Sequence, residues 1–256
     1  MKAYSNPIGP YVGADLKTAL LEQVAEHRRL DMIEKGHYWK GNGAGTGCAI
    51  GCSMHSLMLL SGGDMFKSAL ATNEGQHKEL ADQLAIPAQL THLQDAIFER
   101  LPDGLHLDWP GRFYTAIEPG ANLSPVWPGV WLRMAEDAEH GLIARAGNNQ
   151  QVIDAINGVS ALYRRRLAGD EPSREDWRRA AEAAADAARA AAYADDDAAY
   201  AAADAARDAA YAAADADAYA AADAADAYAA YAAADAYIVW LADVLIEEMA
   251  RCEVTA

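Results

Sequence analysis

The stretch that decides the fold is Ala180–Tyr237, AAEAAADAARAAAYADDDAAYAAADAARDAAYAAADADAYAAADAADAYAAYAAADAY. Alanine has the highest intrinsic helix propensity, and the segment contains neither glycine nor proline. The last glycine of the chain is Gly169 and the last proline is Pro172. Tyr-Ala-Ala-Ala-Asp recurs from Tyr200, Tyr211, Tyr219 and Tyr231. The pattern therefore predicts helix without a strong breaker. At about 100° per residue, every non-alanine residue from Asp186 to Asp215 except Asp195 falls on an arc of roughly 120°. The opposite face is bare methyl groups. The columns Arg189, Tyr200, Tyr211 and Tyr193, Asp204, Asp215, Asp226, Tyr237 repeat every eleven residues. Eleven residues make nearly three whole turns, so the seam runs almost straight. A single helix from Ser173 to Met249 would be about 115 Å long at roughly 1.5 Å per residue. Such a rod either projects and self-associates or breaks into shorter packed helices. Helix-on-helix packing through the alanine face is expected, because small residues let backbones approach closely.

Outward from this tract the same periodicity predicts an all-α chain. Helices are expected over Asp15–Ile33, Cys48–Leu60, Thr72–Leu84 (capped by Thr72), Pro87–Leu101, Trp109–Glu118, Ser124–Glu136 and Asn149–Leu167. Ser173 and Asp176 form a capping box at the start of the tail. No convincing strand is present; Leu105–Trp109 alternates but is short and ends in proline. The larger apolar side chains lie before residue 170 and again at Ile238–Met249. That predicts a helical globular domain over 1–170 and an Ala/Asp/Tyr-rich helical tail over 171–256 with an apolar end.

Net charge is −17 and unevenly placed. Residues 181–256 hold 16 acids against 3 arginines, giving −13, so the other 22 acids and 18 bases leave −4 for residues 1–180. An acidic surface repels phosphate backbones and anionic lipid. Direct nucleic-acid or membrane binding is therefore not expected, and no segment reaches the roughly 18 apolar residues that span a bilayer. The three cysteines do not suggest a disulfide framework. No apolar run opens the N-terminus, so no secretory leader is expected. The chain reads as a soluble, cytoplasmic protein, with no cofactor motif.

One patch looks chemical: Gly45-Thr46-Gly47-Cys48-Ala49-Ile50-Gly51-Cys52-Ser53-Met54-His55. It follows a glycine-rich loop and places Cys48 at a helix start, where amide dipoles favour a thiolate. Cys48, Cys52 and His55 share one helix face. His37 lies upstream; His106, Asp108, His140 and Asn148 lie downstream. Three chemistries fit. Small residues allow close packing, with the cysteines as buried apolar groups. A thiol enzyme would use Cys48 with His106 and Asp108, on one side of an extended segment, or with His37. A metal site would use Cys48, Cys52, His55 and His37, although the spacing is not that of common zinc knuckles.

The run Gly47-Cys48-Ala49-Ile50-Gly51-Cys52 with His55 resembles a motif in a group of uncharacterised bacterial and phage proteins. The resemblance extends to Ile86-Pro87, to Leu93–Pro102, to Ala116–Leu123 and to an alanine-rich tail. No established activity belongs to that group, so it implies a phage or mobile-element origin and no site residues.

The leading expectation is a non-enzymatic interaction or assembly protein. It would act by self-association or through a protein partner, with Tyr193, Tyr200, Asp204, Tyr211, Asp215 and Tyr219 as contact residues. The alternatives are an acidic nucleic-acid mimic serving counter-defence, a Cys48-dependent enzyme and an ice-binding helix. The charge also fits a plain solvated helical face.

Overall fold

The computed structural model describes residues 14–40, 45–60, 73–194, 196–215, 223–224 and 234–254. Among them are eleven helices and no sheet, as the periodicity predicted. In chain order they are α1 (Ala14–Arg29), α2 (Ala49–Leu60), α3 (Asn73–Leu84), α4 (Ala88–Arg100), α5 (Leu105–Ala116) and α6 (Val126–Glu136). There follow α7 (Leu142–Arg145), α8 (Gln150–Leu167), α9 (Arg174–Tyr193), α10 (Asp197–Asp215) and α11 (Ala234–Ala250). The expected Thr72 cap lies outside the described residues.

Among the described residues, contacts divide the chain into two units, one over residues 14–124 with 246–254 and one over 125–245. The composition changes near residue 170, but the contacts change at residue 124. The physical reason is that an alanine helix buries only methyl groups, worth roughly 0.8 kcal/mol each. α8 packs large apolar side chains against both alanine helices, and α6 packs on α8, so both side with them.

In the unit over 125–245, α9 and α10 pack against one another and both pack on α8, which also meets α6. Trp127, Trp131, Tyr163 and Trp177 are buried together. The Tyr163 hydroxyl accepts from Trp127 Nε1 at 2.8 Å and donates to the Ala209 carbonyl at 2.8 Å. The Trp177 ring sits 4.7 Å from that of Tyr163, and the Arg166 guanidinium lies 5.3 Å over Trp177. Onto this aromatic floor the hairpin lays its methyl faces. Ala181, Ala184, Ala187, Ala188 and Ala191 of α9 are buried, as are Ala199, Ala202, Ala206 and Ala209 of α10.

The uninterrupted rod is thus not what forms. The helix stops at Tyr193 and restarts at Asp197, with Asp196 Oδ1 accepting from the Ala199 amide at 3.1 Å. Three aspartates in a row, Asp195–Asp197, are poor helix interior and good N-cap material. At the other end of α9 the expected capping box is present: Ser173 Oγ accepts from Asp176 N at 3.1 Å, and Asp176 Oδ2 accepts from Ser173 N at 3.0 Å.

Ala202 is fully enclosed on α10. Ala202→Leu forces three extra carbons into a methyl-sized gap and is expected to lower stability by about 1–3 kcal/mol. The exposed neighbour change Ala198→Leu should shift it by less than about 0.5 kcal/mol. Urea midpoints of the two variants measure the contrast.

In the other unit α2 is central, buried from Ala49 to Leu57 and touched by α1, α3, α4 and α5. α1 ends earlier than expected because Asp31 takes a left-handed φ of 52° and turns the chain back. The chain then forms a strap over the start of α2. Gly47 N donates to Met32 O at 2.9 Å, Glu34 N to Gly47 O at 2.9 Å, and Lys40 N to Thr46 O at 2.8 Å. α5 starts at Leu105, so Leu105–Trp109, which alternates in sequence, is the first part of a helix. No helix among the described residues is long and apolar enough to cross a membrane.

Candidate functional site

The glycines of the chemical-looking patch are there for the strap. A Cβ on Gly47 would lie 1.9 Å from the Tyr38 carbonyl oxygen, and one on Gly51 would lie 1.2 Å from the same atom. Gly47 lies two residues before α2 and Gly51 in its first turn, and together they leave room for the backbone of Tyr38. The Cys48 amide then donates to the His37 carbonyl at 2.7 Å. Close approach therefore explains the Gly-x-x-x-Gly half of the motif directly.

The four residues of the expected metal set do not converge. Cys52 Sγ donates to the Gly47 carbonyl at 3.3 Å and lies 3.6 Å from that of Met32. Burial pushes its thiol up to about 12. The His55 ring stacks on Trp39 with centroids 3.9 Å apart, and its Nδ1 meets His27 Nε2 at 3.0 Å. His37 Nε2 meets Thr46 Oγ1 at 2.9 Å and a Glu34 oxygen at 3.7 Å. Helix-face sharing put Cys48, Cys52 and His55 on one side, but each finds a different neighbour there. The only convergent ligand group among the described residues joins Cys48 to Asp95 and Glu99, two residues that the sequence reading did not single out. Their spacing of four on α4 was the available signal.

Cys48 itself is 2% exposed. The amides of Ile50 and Gly51 do reach its sulfur, as a helix start requires, and they favour the thiolate. Burial outweighs them, with Asp95 adding to it, and the thiol is held well above the usual range. His106 and Asp108 lie on α5 rather than on an extended segment, so two residues of separation turn them roughly 200° apart. His106 meets Phe98 edge-on at 5.6 Å, and burial lowers its pKa. Asp108 is paired with Arg28. His140 belongs to the other unit, tilted 5.0 Å from Trp240. A helical α5 thus removes the geometry on which the Cys48–His106–Asp108 arrangement was expected.

The strap also frames a surface groove of about 690 Å³ lined by Asp31, Glu34, His37, Lys40 and Thr46 among others. Its walls carry both signs of charge, and Cys48 is not among the lining residues.

The expected contact residues of the tail divide by exposure. Tyr193 is 91% exposed at the end of α9 and Tyr211 is 38% exposed. Tyr200 and Asp204 are half-buried. Arg207 pairs with both Asp204 and Asp208, and burial raises the Asp208 carboxyl. The Asp215 side chain and all of Tyr219 lie outside the described residues. No protein-family model, curated protein or solved structure matches this chain.

Proposed function

We propose that the chain is a non-enzymatic interaction protein whose contact surface is the hairpin turn between α9 and α10. The observation that carries this is Tyr193, a large aromatic ring left 91% exposed beside Asp196 and the exposed Asp197. An exposed ring flanked by carboxylates suits a protein partner that offers arginine or lysine, through ion pairing and cation–π contact. The alanine face is used within the chain, so self-association through it is not part of the proposal. A nucleic-acid mimic is less well supported. α9 carries Glu175, Asp176, Glu182 and Asp186 against Arg174, Arg178, Arg179 and Arg189, and so is electrically balanced. A protonated, enclosed Cys48 likewise disfavours a thiol enzyme. The phage or mobile-element origin implied by the sequence resemblance belongs to the same proposal.

The test compares wild type with a triple variant, Tyr193→Ser, Asp196→Asn and Asp197→Asn, in quantitative affinity capture from source-cell lysate. Asparagine at 196 keeps the cap. Wild type should retain a basic protein that the variant loses by about tenfold or more, while both melt alike and both sediment as monomers. Equal retention by the two proteins, or a stable homodimer, overturns the proposal.

A further inference from the structure

The start of α2 brings the Cys48 thiol against α4. Cys48 Sγ, a carboxylate oxygen of Asp95 and one of Glu99 all lie within 4.8 Å of one another. Asp95 and Glu99 are one turn apart, so both carboxylates leave the same face of α4. A further observation marks the place as built for something more. Asp95 Oδ1 is enclosed and has no hydrogen-bond partner among the described residues, although Oδ2 is held by His77 Nε2 at 3.2 Å. Buried polar atoms are rarely left this way without a ligand or water to meet them.

We propose that Cys48, Asp95 and Glu99 bind a divalent cation of borderline softness, of which Zn²⁺ is the type. The donor set selects the metal class. Mg²⁺ and Ca²⁺ take oxygen ligands almost exclusively, whereas Zn²⁺ accepts thiolate and carboxylate together in tetrahedral sites. Three ligands from the chain leave a fourth position for water. His77, stacked on His92 with centroids 4.0 Å apart, fixes the orientation of Asp95 as an outer partner. The Gly36 amide does the same for Glu99, at 2.9 Å. Without a cation, burial raises both the Cys48 thiol and the Glu99 carboxyl, with the neighbouring Asp95 charge adding to each. Binding forms a bond from Cys48 Sγ to the metal. The thiol proton, and any proton on Glu99, passes to solvent; no electron is transferred. The half-buried carboxylates give the ion its way in. The site stands apart from the hairpin and does not rest on the proposed function.

The experiment titrates the full chain, reduced and stripped with chelator, with Co²⁺. One equivalent should bind with a thiolate-to-cobalt charge-transfer band, be displaced by Zn²⁺ and raise the melting temperature. Cys48→Ser should lose the band, and Asp95→Asn and Glu99→Gln should each weaken binding by about tenfold or more. Cys252→Ser should leave all of this unchanged. No band on folded wild type, or a band that survives in Cys48→Ser, overturns the site. Should Cys48→Ser fail to fold, the carboxylate variants decide, because unchanged affinity in both also overturns it.

Discussion

Gly51→Ala is expected to cost about 3 kcal/mol or more, the upper end of overpacking penalties. A glycine-to-alanine change inside a helix ordinarily gains up to about 1 kcal/mol. Here the new methyl would sit 1.2 Å from the Tyr38 carbonyl oxygen and 2.1 Å from its carbon. Those are backbone atoms, so no side-chain rotation relieves the clash. The strap must lift from α2. The bond from Cys48 N to His37 O and the stack of Trp39 on His55 then go with it. At roughly 2–4 °C per kcal/mol, the melting temperature should fall by about 10 °C. Gly158→Ala is the control. Gly158 lies in α8, is exposed, and has nothing within 4 Å of an added Cβ. That variant should melt a few degrees higher, from about 1 kcal/mol of helix propensity. Gly51→Ala melting within about a degree of wild type would remove the close-approach explanation of the motif.

Acidification below pH 6.5 is expected to destabilise the protein through its buried imidazoles. His27 is 2% exposed, and its pKa is lowered to about 4 by burial, with His55 adding to it and Glu26 opposing. His92 is lowered to about 3 by burial and by His77. In the unfolded chain both return to an ordinary value near 6.5. The unfolded state therefore takes up protons first, so stability is full above pH 6.5 and falls as pH drops toward 4. His27 alone accounts for a loss on the order of 3 kcal/mol across that window. His92 acts in the same direction. Glu99, raised in the fold by burial, works the other way: its contribution is present below about pH 4.5 and is lost as pH rises. Urea midpoints at pH 7, 5.5 and 4.5 measure the slope. His27→Gln should flatten it even if the variant is weaker at pH 7; an unchanged slope would mean that His27 is not the group taking up the proton.

Several features of this chain could be read from local chemistry. Helix propensity and apolar periodicity placed α2, α4, α8 and the start of α9 close to where they lie. Ser173 with Asp176 forms its box because both partners are three residues apart on one chain. Helix α5 was read four residues short because Pro110 was taken for a first-turn residue, whereas it lies inside the helix. The break in the alanine tract was written in Asp195–Asp197 and was outweighed by the absence of glycine and proline.

By itself the sequence determined that the chain is all-α, where most helices start and stop, and that one face of the tail is methyl. These are properties of neighbouring residues along one chain, and dihedral preference, side-chain periodicity and capping settle them. Only the tertiary structure decided what covers the methyl face, which is α8 together with the other arm of the hairpin. It alone decided that Gly47 and Gly51 admit a backbone, and that Cys48 meets Asp95 and Glu99 rather than His106. Each of those depends on residues brought together from different helices, Cys48 and Asp95 being 47 positions apart, or on a carbonyl whose position the strap sets. Burial, which turned Cys48 from a reactive thiol at a helix start into a protonated one, is a property of the assembled core and not of any segment.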